Sequence, residues 1–215
     1  MSQFDVFYRL TIIDRRSDMI RWIMRKKIEW FERDWNYDAS YMRDIIDVSP
    51  RAAWLFSRVT ALGRFRQDVP VDAWFAAGIT AVRLEDCGPC TQLAVAMAER
   101  AGVGSEVLRA VLADDPDAMP RDVALAWRFT RATLAHDPAA DDYREVVAEL
   151  WGRRAVVSLA FAITAARMYP TIKYVLGHGR ACMRVVVGGT PVRFDHGRVP
   201  ASDRSHVPKA YAVPH

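Results

Sequence analysis

Long apolar runs are missing from this chain. The longest nearly apolar stretch is Ala155 to Ala166, bounded by Arg154 and Arg167. As a helix it would span only about 18 Å, against roughly 30 Å of bilayer hydrocarbon, so this reading excludes a transmembrane span. Cysteine is equally scarce. Three in 215 residues are too few, and odd in number, for a disulfide scaffold. The opening Met1-Ser2-Gln3-Phe4-Asp5 lacks the basic start, apolar stretch and small-residue cleavage site of a secretory leader. The expectation is therefore a cytoplasmic protein with mostly reduced thiols. No sign of charge dominates, since the formal net charge is +4 with a pI of about 9.1. That balance is too mild to demand a nucleic-acid partner. Gly-rich phosphate loops, HExxH, GxSxG and nucleic-acid motifs are all absent, as are repeats and low-complexity segments. Lysine occurs only at 26, 27, 173 and 209, so arginine supplies 26 of the 30 basic residues. This bias belongs to codon usage and has no bearing on mechanism.

What is present reads as a globular, mostly helical chain, 51% hydrophobic and 26% charged. Ile20, Ile23, Met24, Ile28 and Phe31 fall on one face of a helix, and Asn36-Tyr37-Asp38 breaks the pattern. Ser49-Pro50 reads as an N-cap followed by proline at the first helical position, opening a helix to about Leu62. Val69-Pro70 opens another over roughly 71–86. Cys87-Gly88-Pro89-Cys90 interrupts it, and a further helix reaches about Ala101, before Gly102. Ser105 is expected to cap a short helix over 106–113. Pro120 starts a helix through about Ala135, followed by helices near 140–151 and 154–168. Pro170 is expected to be a kink or boundary, with Thr171–Leu176 as a last helical piece. Arg184–Val187, Gly188-Gly189 and Val192–Phe194 read as a β-hairpin with a glycine turn. The expected organisation is an N-terminal helical arm over 1–48, a helical core over 49–180 and a C-terminal hairpin and tail over 181–215. Trp22, Trp30 and Trp35 of the arm are expected to serve packing or contact between subunits. The basic group Arg21, Arg25, Lys26 and Lys27 could touch an acidic membrane surface or partner, but a solvated face is favoured, because Asp14, Asp18, Glu29 and Glu32 neutralise the same segment.

The informative motif is Cys87-Gly88-Pro89-Cys90. A cysteine pair at a helix start lies among unpaired backbone N–H groups and the positive end of the helix dipole. Both favour thiolate, which is the nucleophilic form. Pro89 suits a first turn because it has no N–H to leave unpaired. A redox pair is the reading favoured here, and two inert core cysteines or a metal site remain as alternatives. His178 and Cys182, spaced H-x3-C, would complete a Cys3His set for zinc with Cys87 and Cys90. Otherwise Cys182 is a small apolar residue. Glu85 and Asp86, just before the pair, are candidate carboxylate bases for a thiol, with Glu85 taken as the site residue, against an ion-pairing role at the helix end or an interface. His178 is a second candidate proton carrier, against a capping or surface role.

The same tetrad occurs in thioredoxins. Met168-Tyr169-Pro170-Thr171 and the terminal hairpin imitate parts of that fold, yet residues 1–86 show almost no strand pattern. A closer likeness is carried by Ala76–Gly104, AAGITAVRLEDCGPCTQLAVAMAERAGVG, by Met119–Ala126 and by Val156–Leu176. Over residues 72–176 the chain resembles the carboxymuconolactone decarboxylase and alkylhydroperoxidase D superfamily, in a subgroup with a Glu-Asp-Cys-Gly-Pro-Cys motif. The resemblance implies an all-α, usually oligomeric protein with the cysteines near a subunit interface. It implies Cys90 as the attacking thiol and Cys87 as the resolving one, whereas helix-end reasoning by analogy with thioredoxin favours Cys87 as attacker. The proton relay of peroxidase members does not carry over. Its histidine position is Ala94, the position inside the pair that can also hold histidine is Pro89, and its upstream glutamate falls on Phe75.

The expectation is thus an all-α, alkylhydroperoxidase D-like fold with Cys87, Cys90, Glu85 and His178 as site residues and no cofactor. The expected activity is thiol-disulfide oxidoreduction or weak hydroperoxidase chemistry on a small peroxide or disulfide, with an external thiol as reductant. The expected assembly is a homo-oligomer with neither nucleic-acid nor membrane partner. A non-catalytic redox sensor or interaction protein, and a lyase on the same fold, are the alternatives.

Overall fold

The computed structural model describes residues 3–179 and 184–193. The chain divides into two units, 1–59 and 60–215. The first holds α1 (Gln3–Trp35), α2 (Ser40–Val48) and α3 (Pro50–Val59). The second opens with a 3-10 turn (Thr60–Arg64). It continues with α4 (Val71–Arg83), α5 (Gly88–Arg100), α6 (Ser105–Ala113), α7 (Arg121–Leu134), α8 (Ala139–Trp151) and α9 (Arg153–Val175). A two-stranded hairpin, β1 (Arg184–Val187) and β2 (Thr190–Arg193), follows. The all-α character with a small terminal hairpin is as expected.

In the first unit, α1 packs on α2 and α3, and Phe31 meets Tyr37 edge to face at 6.0 Å. Helix α2 was not expected, because Asn36-Tyr37-Asp38 reads only as a break in the helical pattern. Asp38 and Ser40 serve as its entry. Asp38 Oδ1 accepts the Ser40 N–H at 2.9 Å, and Glu32 accepts the Ala39 N–H at 2.9 Å while pairing with Arg43. The proposed cap at Ser49 is present, its Oγ accepting the Ala52 N–H at 3.2 Å. Trp22 and Trp30 are exposed, each at 61%.

In the second unit, α4 is the central helix, packed on α5, α6, α7 and α9. Its composition makes this possible. Ala73, Ala76, Ala77 and Ala81 are all buried, and their small side chains let four neighbours approach its backbone. Two core clusters lie on either side of it. One joins Ile79 to Val95, Leu108, Val111, Val123 and the hairpin residues Val185 and Val187. The other joins Ala77 and Ala81 to Leu125, Phe129, Tyr143, Val147, Leu159 and Ile163. The hairpin pairs Arg184 with Arg193 and Val187 with Thr190. Gly188 and Gly189 both have positive φ, as a two-residue turn matching strand twist requires. Phe194 and Cys182 lie outside the described residues.

Two helix boundaries differ from expectation. Ser105 is the first helical residue of α6, and Gly104 occupies the cap. Pro170 does not end a helix. Helix α9 runs through it to Val175, with Pro170 buried and the Thr171 hydroxyl donating to the Arg167 carbonyl at 3.0 Å. The resulting 23-residue helix is long and apolar enough to cross a membrane by length and composition, so the length argument from Ala155–Ala166 no longer applies. In this fold α9 packs on α4 and α8, burying Ala155, Leu159, Ala162 and Ile163.

Candidate functional site

The site begins where α4 stops. After Arg83 the chain turns through Leu84, Glu85 and Asp86, with Glu85 N–H donating to the Val82 carbonyl and Asp86 N–H to the Arg83 carbonyl, both at 3.2 Å. Asp86 takes a left-handed φ of 53°, which aspartate tolerates better than most side chains. That residue redirects the chain so that Cys87 becomes the N-cap of α5, with proline in the first turn. The Cys87 carbonyl accepts the Thr91 N–H at 2.9 Å and the Thr91 hydroxyl at 3.1 Å. Cys87 and Cys90 are joined as a disulfide, their Cα atoms 5.2 Å apart. The bond lies at the positive end of α5, where an anionic sulfur is favoured after reduction.

The pair is sealed. Cys87 is 2% and Cys90 5% exposed, and they form an apolar cluster with Val82, against which Ala94 and Ala166 pack. Ala94 is thus next to the cysteines, at the position where the resembled family carries its relay histidine. A methyl group there cannot move a proton. Phe75 packs instead against the cluster of Ile79, Val95 and Val111.

The polar residues around the tetrad each have partners. Glu85 pairs with Arg167 of α9. Tyr174, also of α9, donates its hydroxyl to the Asp86 carbonyl at 2.9 Å. These two links fasten the 84–87 turn to α9. Buried Arg83 is directed to α6, its guanidinium donating to Asp114 Oδ1 at 2.8 Å, Asp114 Oδ2 at 3.2 Å and the Val111 carbonyl at 3.0 Å. His178 follows α9, half-buried, with its N–H on the Lys173 carbonyl at 2.8 Å. The structure therefore joins Cys87 to Cys90, and Glu85 to Arg167. Gly179, next to His178, lies against the Tyr174 ring, where an added Cβ would clash. Among the described residues no three His, Cys, Asp or Glu side chains gather as a metal site. The Cys3His set required Cys182, outside the described residues.

Sequence reasoning missed Arg167 and Tyr174. Arg167 was visible only as the cation closing an apolar run, and nothing local marks its partner 82 residues earlier. It also missed how the hairpin attaches. Gln92 pairs both polar groups of its side-chain amide with the Val186 backbone, at 2.6 and 3.1 Å. Glu99 accepts the Gly188 N–H at 2.6 Å. Both lie on α5, so the helix that carries the cysteines also carries the hairpin.

Comparison with protein families, with curated proteins and with solved structures returns no match for this chain. What stands is coarser than the family named from the motif: an all-helical fold, a small terminal hairpin and a Cys-x-x-Cys pair.

Proposed function

We propose that this protein is a thiol-disulfide oxidoreductase with weak alkylhydroperoxidase-like activity, working through Cys87 and Cys90. The buried cysteine pair, bonded at the N-terminus of α5, is the observation that carries the reading. In the reduced protein the Cys90 thiolate attacks the terminal oxygen of a hydroperoxide, breaking the O–O bond. This gives Cys90 sulfenic acid and an alkoxide, which takes up a proton as alcohol. The Cys87 thiol then displaces water from the sulfenic acid and closes the disulfide. Two external thiols reopen it by exchange, leaving as their own disulfide. Glu85 is the candidate base for the attacking thiol, positioned by Arg167. His178 is the second proton carrier. No cofactor enters these steps. The exposed Trp22 and Trp30 support assembly as a homo-oligomer, which light scattering at several concentrations would check.

The test is turnover of cumene hydroperoxide and of a small disulfide by wild type, Cys87→Ser and Cys90→Ser. Both single variants should lose turnover, and dimedone should label Cys90 in Cys87→Ser. Turnover unchanged in both variants would defeat the proposal. Labelling of Cys87 in Cys90→Ser, with none at Cys90, would reverse the two roles.

A second reading is favoured by the seal itself. Cysteines that are 2% and 5% exposed suit a slow redox reporter whose oxidation changes binding rather than driving turnover. A measurable potential without turnover, together with different partner sets in the two redox states, would select this reading.

A further inference from the structure

A groove of about 880 Å³ runs between α7, α8 and α9, within the size range of small-ligand sites. Its floor is apolar, with Phe129, Val156 and Ile163 among its lining residues. The cysteines do not line it, but Arg167 does. The polar groups around it are unevenly used. Asp141 is engaged by Arg144, and Asp137 accepts the Ala139 N–H at 2.9 Å. Each of these two carboxylates thus already has a donor. The donors are not exhausted, because a guanidinium offers five N–H groups and one carboxylate takes at most two. Arg144 and Arg167 are each about half exposed and keep donors to spare. The Thr133 hydroxyl on the wall is buried with no hydrogen-bond partner. A buried polar atom left in that state is costly.

An apolar floor with surplus donors at its edge selects a molecule with an apolar body and an anionic, hydrogen-bond-accepting head. We propose that this groove binds a small amphipathic carboxylate whose head is held by Arg167, and that occupancy is communicated to the disulfide turn through the Arg167–Glu85 pair. Arg167 is the one side chain that both lines the groove and grips the turn before Cys87. A carboxylate that shares its guanidinium loosens the hold on Glu85, and with it one of the two links fastening residues 84–87 to α9. The binding half stands by itself, and the communicating half rests on the redox reading above.

Octanoate is the probe, titrated by calorimetry into the full-length oxidised protein, with octylammonium as the control of opposite charge. Octanoate should bind and octylammonium should not. Arg167→Gln should weaken octanoate about tenfold, the cost of one charge-assisted contact. Glu85→Gln frees the guanidinium and should tighten binding severalfold. Ala160→Trp, at an exposed position of α9 lining the groove, should abolish binding while leaving the circular dichroism melt unchanged. Saturating octanoate should also speed reduction of Cys87–Cys90 by dithiothreitol in wild type and not in Arg167→Gln. Absence of octanoate binding, or equal affinity in Arg167→Gln, overturns the site. Binding with an unchanged reduction rate overturns the communication. A protein that binds octanoate in an Arg167-dependent way, yet shows no thiol or peroxide turnover, would instead count against the redox reading alone.

Discussion

Replacing Asp114 by Asn should destabilise the second unit more than any other single surface-bordering change. Asp114 closes α6 in a left-handed conformation, φ 54°. From there it accepts two hydrogen bonds from Arg83 and one from the Trp127 indole N–H at 3.0 Å. Its Oδ2 is 3.3 Å from Arg131 Nη1, whose guanidinium lies 5.0 Å over the Trp127 ring. The cluster ties α4, α6 and α7 together. Arg83 decides the magnitude, because its side chain is only 7% exposed while Asp114 is 26% exposed. Removing the partner of a buried charge costs roughly 3–5 kcal/mol. Partial exposure of Asp114 and the acceptor oxygen kept by Asn reduce this to about 2–3 kcal/mol. Asn also tolerates the left-handed region, so little strain is added. Asp114→Ala loses the acceptor and the conformational fit and should cost about 1 kcal/mol more. Urea unfolding followed by circular dichroism measures both. A loss of about 2–3 kcal/mol corresponds to a melting point lower by roughly 4–12 °C at this chain length. A cost below about 1 kcal/mol for Asp114→Asn would refute the claim that Arg83 depends on this carboxylate.

Three further outcomes follow from the same contacts. Gln92→Ala removes the amide that pairs with Val186 and should raise hydrogen exchange at Val186 by about tenfold or more, while α4 and α7 amides stay protected. Tyr174→Phe removes the bond to the Asp86 carbonyl and should speed disulfide reduction by dithiothreitol severalfold, with the melting point nearly unchanged. Burial pushes the Tyr169 phenol above its ordinary range, opposed less strongly by the hydrogen bond with Thr60 and by Arg64. The neutral phenol is therefore the form the fold prefers. Its contribution is complete below about pH 10 and is lost as pH rises through the raised value. Tyr169→Phe should flatten the alkaline limb of a stability-against-pH curve and leave the neutral region alone.

Local signals located most of the helices. Pro50 after Ser49, Gly102 after α5 and the Gly188-Gly189 turn each act through backbone geometry written in one or two residues, and each appears where expected. Three features escaped because their causes are tertiary. Helix α2 depends on Glu32 capping Ala39 from the previous helix. Helix α9 tolerates Pro170 because the surrounding core holds that residue buried. The Arg167–Glu85 pair spans 82 residues, and no spacing rule reaches that far. The cysteine pair was legible because its chemistry needs only four consecutive residues and a helix start. Its seal was not, since Ala166, from the far end of the chain, supplies part of the wall.

The central claim is that Cys87 and Cys90 form a reversible redox couple. Its most direct measurement is equilibration of the native protein against glutathione or dithiothreitol buffers of graded potential, with thiol content read by mass after alkylation. The account predicts full, reversible conversion between disulfide and dithiol within the range spanned by known thiol-disulfide oxidoreductases, about −270 to −120 mV. The helical circular dichroism spectrum should be retained in both states. A pair that stays oxidised until the protein is unfolded, or that once reduced does not reoxidise, would contradict it.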